Sequence, residues 1–502
     1  MNLISPNRPH SQWQSTLLFA AVTLLIVQVV ARAQDPIASL QNKITTVYDG
    51  VSPSIVSIAR VRRDRLNSFD ALPFNRVGRG LPLIDPTRTD YIPTEFGTGI
   101  VFSAAGDVLT CFHVLDDPSV NDYWIWHQGK VHRAAATAHP ATVRAGDPWT
   151  DLAVLRIGNV DVHPLVLEST PQPRIGQLVL VLGNPYAIAR DGRASMAWGM
   201  ISNLQRPSPQ PAIEEGVPSG KQSLHEYGTL LQLDAKINLG TSGGAVVDLD
   251  GRLIGIVTSL AALAGYEQSA GFAIPIDGPA KSVIEALQRG KRPEFGFLGV
   301  EPVDLEGPLK SQGLSGALVR RVITGFPGDV AGLRPGSVVT AIDGQPINDA
   351  AELFREVSRR PAQQDVRMTV LDIDQPKEKH ADLTVRLGKK HIETSRPSYS
   401  IEPEPSWCGM SVDWSTALPP ERLFDADLVG SKPPPVAITK VDPGQPAWQA
   451  GLRPGMFVIG VADLKIETPN EFYKAVAASS SETILRIIGD GGRLQTIQVE
   501  NE

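Results

Sequence analysis

The segment Ala331-Gly332-Leu333-Arg334-Pro335-Gly336 recurs unchanged as Ala450-Gly451-Leu452-Arg453-Pro454-Gly455. Each copy follows a Pro/Gly turn and precedes an apolar run, Val338 to Ile342 or Phe457 to Val461. A short helical stretch comes next, with Leu353 and Val357 on one face in the first copy and Phe472 and Val476 in the second. In the second, Thr468-Pro469-Asn470-Glu471 forms a capping box with proline at the first helical position. Six matching residues could arise by coincidence. The same strand and helix after both copies indicate a duplicated domain. The other residues need a core of their own, and 502 residues predict two to four domains.

Between Phe96 and Ile276, short β-branched runs alternate with turn residues: Gly99 to Phe102, Leu152 to Leu155, Leu178 to Val181 and Leu253 to Val257. With 45 glycines and 41 prolines, this pattern predicts a β-sandwich or barrel rather than a helical bundle. Val47 to Val61 reads as a strand pair or a strand plus turn, and 62–95 as a long surface loop. Val283, Ile284 and Leu287 mark a helix that Gly290 ends. Residues 291–294 and 389–405 read as linkers.

Arg8 and His10, the apolar run Leu17 to Ala31 and the Ala31-Arg32-Ala33 pattern have the order of a secretory signal peptide. The run is short for a spanning helix of about 20 residues, so an uncleaved membrane anchor is the lesser alternative. A formal charge of -7 argues against a nucleic-acid binder. The cluster Arg60, Arg62, Arg63 and Arg65 reads as a solvated loop. Cys111 and Cys408 are the two cysteines, too few for a disulfide framework. Cys111 lies in an apolar strand context and reads as a buried side chain. His132 and His139 lack zinc-ligand spacing and read as surface residues, and no metal is expected.

In Asn238-Leu239-Gly240-Thr241-Ser242-Gly243-Gly244 a serine lies among glycines. Glycine allows a tight turn and leaves amide N–H groups open to a substrate oxygen. Read alone, this is equally a plain turn. A serine nucleophile needs a base, and the base an orienting carboxylate. His113, in Leu109 to Leu115, and Asp151, in Trp149 to Leu155, each sit against an apolar strand, where a buried polar group needs a partner.

In combination these segments resemble the HtrA/Deg family of trypsin-like serine proteases. The likeness runs through Thr110 to Val114, Asp151 to Leu155, Gly183 to Tyr186, Gln232 to Ala245 and Gly271 to Pro275, in the family's His, Asp, Ser order. It implies a mainly β fold: a chymotrypsin-like double β-barrel over 34–290, then PDZ domains, α+β and partly open barrels, over 295–388 and 406–502. Residues 1–33 would be the signal peptide and 389–405 the linker. It further implies Ser242 as nucleophile, His113 as base, Asp151 as its orienting partner, an oxyanion hole from the N–H groups of Gly240 and Ser242, and no cofactor. Two departures are Thr241, where the family usually has Asn, and Ala245, where it usually has Pro.

Phe297, Leu298, Gly299 and Val300, and in the second repeat Trp407 to Met410, resemble the carboxylate-binding loops of PDZ domains. The expected activity is ATP-independent cleavage of unfolded or misfolded exported proteins. The expected partners are such substrates and peptide C-termini, in the periplasm, and the resemblance to the HtrA/Deg family implies further copies of the chain in a homotrimer or larger assembly. A peptide-binding chaperone or scaffold with little proteolysis is the competing expectation. The loop from Gln205 to Gly228 is expected to couple peptide binding to catalysis.

Overall fold

Strands buried on both faces account for the first half of the structure. The structure is a computed structural model and describes residues 36–63, 93, 95–127, 130–135, 143–158, 163–167, 172–184, 193–208, 222–258, 271–311, 313–372, 381–425, 433–479, 482–489 and 492–500. The expected signal segment, Arg65 and most of the 62–95 loop, Pro185, Tyr186 and His139 lie outside the described residues, as does 209–221 of the expected coupling loop. Among the described residues, no helix is long and apolar enough to cross a membrane.

The strands of this half are β1 (Ile55–Arg62), β2 (Glu95–Val101), β3 (Asp107–Cys111), β4 (Asn121–His127), β5 (Lys130–Ala135), β6 (Val143–Asp147), β7 (Leu152–Arg156), β8 (Leu178–Gly183), β9 (Ser195–Arg206), β10 (Leu230–Leu233), β11 (Ala245–Val247), β12 (Leu253–Thr258) and β13 (Gly271–Pro275). Six of them close into a barrel in the order β10-β13-β12-β11-β8-β9. In β8, Val179 and Val181 pack in the barrel interior with Val246, Ile254 and Ala273. Leu180 and Leu182 join a second core with Ile100, Leu109 and Leu155. A strand covered on both faces reads as a continuous apolar run, as Leu178 to Val181 does.

The second core belongs to an eight-stranded sheet in the order Tyr399–Ser400, β6, β7, β3, β2, β1, β4, β5. Among the described residues its path stays open. The expected pair of barrels is therefore one closed barrel and one open, half-barrel sheet.

Two expectations are corrected here. Val47 to Val51 are not strand. They end a helix, α1 (Pro36–Val51), whose Ile44, Val47, Tyr48 and Val51 meet the second core. That spacing has the helical period, and Pro36 occupies the first turn. The arginine cluster is not a solvated loop either. Arg60 and Arg62 lie on β1, and Arg60 pairs with Glu95 and Asp116 while Arg63 pairs with the buried Asp122. A one-turn helix α2 (Phe112–Leu115) follows β3 directly. Helix α3 (Gly278–Gln288) is capped by Asp277, buries Val283, Ile284 and Leu287, and is followed by Gly290 at φ 80°.

The two repeats have the same antiparallel topology. Val300–Asp304, Ala317–Val322, Ser337–Ile342, Asp365–Asp372 and Ala381–Arg386 are neighbours in that order in the first. Met410–Trp414, Val436–Val441, Phe457–Val461, Glu482–Ile488 and Leu494–Glu500 are their counterparts in the second. Helices α4 (Ala350–Ser358) and α5 (Pro469–Ala477) bury Leu353 and Val357, and Phe472 and Val476. The capping box at Thr468 forms as expected.

The shared hexapeptide now has a physical explanation. Its glycines take φ 100° and 93° in the first copy and 91° and 94° in the second, a region that favours glycine. Leu333 and Leu452 are fully buried. Arg334 donates to the carbonyls of Asp329 and Leu333, and Arg453 to the matching carbonyls of Trp448 and Leu452.

Residues 389–405 are fastened along the protease half. Ile392 and Tyr399 pack on its core, Tyr399–Ser400 pairs with β6, Ile401 N–H donates to Arg144 O at 3.1 Å, and Ser400 Oγ bonds Gly290 O. Arg396 pairs with Asp116, and Ser395 N–H with Gln222. The fully buried Phe472 anchors the core of the second repeat. Phe472→Ala should destabilise that repeat by about 3–5 kcal/mol. An early urea transition followed by tryptophan fluorescence, with the protease half melting as before, checks this.

Candidate active site

The site forms where the closed barrel meets the eight-stranded sheet. Cys111 ends β3 in extended conformation and α2 turns at once, which places His113 in its first turn. Opposite it, the Asp147–Asp151 turn joins β6 to β7. Asp151 is buried and has φ 54°, an uncommon backbone state for a residue with a Cβ. The His113 ring Nδ1 lies 2.8 and 2.9 Å from the two Asp151 carboxylate oxygens. His113 N–H donates to Oδ1 at 3.0 Å, Thr258 Oγ1 to Oδ2 at 3.1 Å, and Phe112 N–H to the Asp151 carbonyl at 2.9 Å. Burial alone would raise the carboxyl's pKa. The charge and hydrogen bonds of His113 outweigh it and hold the group below its ordinary value. An ionised Asp151 fixes the proton on Nδ1, so Nε2 is left as the basic nitrogen.

Ser242 occupies the turn between β10 and β11 and is buried. Thr241 N–H donates to Asn238 O at 3.1 Å and Gly244 N–H to Thr241 O at 2.8 Å. Gly243 has φ 84°, and a Cβ there would lie 2.0 Å from the Thr98 carbonyl, so no larger residue fits. Thr98 on β2 fastens this turn to the sheet. Its N–H donates to Ser242 O at 2.8 Å, and its hydroxyl donates to Gly240 O at 2.6 Å while accepting from Asn184 N–H at 2.9 Å.

The end of β12 links the serine turn to the His–Asp pair. The Val257 carbonyl accepts from Gly243 N–H at 2.8 Å and from Cys111 Sγ at 3.3 Å, and the next residue is the Thr258 that bonds Asp151. The structure thus brings His113, Asp151 and the Gly240–Gly244 turn to one seam. Sequence reasoning missed Thr98 and Thr258, because their roles lie in contacts with distant segments. Cys111, His113 and Asp151 have ligand atoms within 4.8 Å of one another, the outline of a metal site. The thiol fits poorly, since burial and then the Asp151 charge push its pKa well up, away from the thiolate a metal needs.

Phe297 to Val300 lie apart from this seam, on the first repeat. Gly299 has φ 77°, Leu298 O accepts from Gly328 N–H at 2.7 Å and Gly299 O from Ile323 N–H at 2.9 Å. In the second repeat Cys408 O and Gly409 O accept from Ala447 and Asp442, the equivalent positions, at 3.1 and 2.8 Å. Phe297 and Phe326 pack with Leu418, Ala437 and Phe457 of the second repeat. Leu418, just after Ser415–Ala417, supplies part of that contact.

Residues 97–256 match the family model of the trypsin-like peptidase domain, and residues 318–372 that of the PDZ domain. The chain is a serine endopeptidase with a trypsin-like peptidase domain and a PDZ domain, similar to the DegP and HtrA-type proteases. It is 28% identical over 418 residues to a probable periplasmic serine endoprotease DegP-like of Chlamydia pneumoniae, covering 81% of this chain and 76% of that one. It is 29% identical to the periplasmic serine endoprotease DegP of Salmonella typhimurium, covering 78% and 74%. A solved structure, an HtrA-type protease AlgW with tripeptide, is 26% identical and covers 70% of this chain and 98% of its own, with a TM-score of 0.47.

Asp147, in the same turn as Asp151, behaves oppositely. Its Oδ2 accepts from Thr150 N–H at 2.9 Å and Thr150 Oγ1 at 2.7 Å, yet burial pushes its carboxyl up to about 6. A raised folded pKa gives stability that is present below the unfolded value of about 3.9 and lost as pH rises through about 6. Asp147→Asn keeps an acceptor and removes the charge. Relative to wild type the variant should gain stability between pH 4 and 7, by about 2–3 kcal/mol in all. Urea denaturation at pH 4, 5.5 and 7 measures the difference.

Proposed function

We propose that this HtrA/Deg-like enzyme is an exported, ATP-independent endopeptidase that cleaves unfolded or misfolded proteins through a Ser242 acyl-enzyme. The observation that carries the reading is the two-oxygen contact of the buried Asp151 with His113 Nδ1, on the seam that also holds the Ser242 turn. Ser242 Oγ attacks the scissile carbonyl and His113 Nε2 takes its proton. The N–H groups of Gly240 and Ser242 stabilise the oxyanion, and the C–N bond breaks as His113 returns the proton to the leaving amine. Water then attacks the ester, and the same histidine acts as base. The relatives named periplasmic and the N-terminal apolar segment support a periplasmic location.

On this reading the first PDZ domain takes the C-terminus of a peptide at Phe297 to Val300, and the second repeat is a further domain of the same kind. Coupling to catalysis runs through the end of the Gln205 to Gly228 loop. Its Tyr227 stacks on Phe354 of α4 with ring centroids 4.0 Å apart, and Arg355 reaches the carbonyls of Tyr227 and Gly228. The contact of Phe297 with the second repeat supports a role for that repeat in holding the first. The chaperone or scaffold reading is weaker, because pure binding has no use for an ionised Asp151 buried against His113.

Casein that has been unfolded should be degraded by the wild type, and Ser242→Ala should lose about 10⁴-fold or more of that rate with its fold intact. A fluorophosphonate should label Ser242. Label at another residue, or undiminished cleavage by the variant, rejects the assignment of Ser242, and absence of casein cleavage by the wild type favours the scaffold. Asp151→Asn should cost about 10⁴-fold in kcat through the wrong tautomer.

A homotrimer or larger assembly is part of the proposal. Met196, Trp198 and Met200 alternate along β9 and are exposed on one face, Trp198 by 60%. Such a stripe on a barrel wall suits contact with a second copy. Trp198→Arg should shift sedimentation towards the monomer; an unchanged sedimentation profile would remove β9 from the assembly face.

A further inference from the structure

The Asp151 backbone is held in its uncommon φ of 54° from two sides. Asp147 grips Thr150 from within the turn. The other grip comes from far along the chain. Leu224 N–H donates to Trp149 O at 2.9 Å, and the His225 ring Nε2 lies 2.9 Å from Thr150 O. The second His225 nitrogen, Nδ1, lies 2.6 Å from Thr229 Oγ1. A carbonyl only accepts, so Nε2 carries the proton and Nδ1 accepts the Thr229 hydroxyl. His225 is 2% exposed, and burial disfavours its charged form, with Asp151 opposing and Arg359 adding to the shift. A neutral imidazole bonded at both nitrogens is a costly filling for a core position unless its donor has a task.

We propose that His225 is a positioning residue for the catalytic aspartate, clamping the Thr150 carbonyl so that the Asp151 carboxylate stays aligned on His113. The proposal rests on the triad reading given above and adds to it a residue that the Ser, His and Asp motifs do not contain. A peptide unit fixed on its carbonyl side cannot swing, and Asp151 begins at that peptide. Loss of the clamp frees the turn to relax towards negative φ, which draws the carboxylate off the ring. A misplacement of about 1 Å in such a site costs of the order of 10²-fold in rate.

Three variants separate the clamp from mere packing. His225→Phe keeps a ring in the core and removes both bonds. His225→Gln places an amide N–H near the position of Nε2. His225→Asn mimics Nδ1 and is too short for Thr150. The charged groups packed around the junction are Asp147 and Asp151 in the turn, Glu226 beside His225, Arg359 from the first PDZ domain with its partner Asp277, Lys390 over the Trp149 ring, and Arg60 and Asp116 beside His113. All three variants keep them. Activity on a short reporter peptide is normalised to sites titrated by fluorophosphonate, so unfolded protein does not count.

His225→Phe should lower kcat by about 10- to 100-fold with KM changed less than twofold. His225→Gln should recover most of kcat, and His225→Asn should not. Normal kcat per titrated site in His225→Phe would overturn the proposal, as would a KM change as large as the kcat loss or equal recovery by Asn and Gln. Fluorophosphonate label on a residue other than Ser242 is a different failure. It removes the triad reading, and the clamp falls with it.

Discussion

An ionised carboxylate buried between two sheets is the constraint from which much of this architecture follows. A charge in the interior is stable only if donors surround it, and Asp151 receives three on its side chain. They come from α2 and from the last residue of β12, while the carboxylate itself comes from the β6–β7 turn. No single hairpin can supply all of them. The closed barrel must lie against the open sheet for Thr258 to reach across, and β3 must stop at Cys111 for α2 to turn His113 back. The Val257 carbonyl, bonded both to Gly243 and to Cys111, sets the serine turn in the same frame.

Around this seam the chain is folded back on itself. Residues 389–405 leave the first repeat, cross the protease half and only then enter the second. On the way Lys390 lies 4.5 Å from the Phe354 ring centroid and 5.8 Å from that of Trp149, and burial lowers its pKa to about 8. Trp149, Tyr227 and Phe354 form a continuous aromatic contact from the Asp151 turn to α4. The second repeat in turn covers Phe297 and Phe326. A shift of either repeat therefore disturbs packing that ends a few residues from the aspartate.

The parts legible in sequence are those whose physics is local. The hexapeptide announced the duplication because two glycines, a buried leucine and an arginine that bonds its own turn are needed in each copy. His113 and Asp151 stood out as polar residues against apolar strands. Thr98, Thr258 and His225 did not, because their partners are 142, 107 and 75 positions away and a lone Thr or His carries no signal of that. Residues 389–405 read as a linker since their anchors, Ile392, Tyr399 and Ile401, follow neither the helical nor the strand period. The start of β1 was placed too early because Val47 and Val51 are β-branched in a chain rich in strands, while the spacing of Ile44, Val47, Tyr48 and Val51 is helical.

The two departures from the HtrA/Deg pattern can be weighed on the same footing. A β-branched residue in the serine turn would be harmful if it had to take a positive φ. Here the positive angles fall on Gly240 and Gly243, at 91° and 84°, and Thr241 between them is not among the residues with φ above zero. Its methyl packs against Gly183, where a Cβ would lie 2.7 Å from Thr241 Cγ2, so the small residue on β8 and the branched one in the turn fit each other. Ala245 opens β11, is fully buried and is paired on both sides, with Leu182 and with Ile256. Alanine keeps the N–H that a strand between two neighbours can use, and it brings no bulk to the seam. Both substitutions are thus accommodated by the residues they touch, and neither alters the groups that meet Asp151.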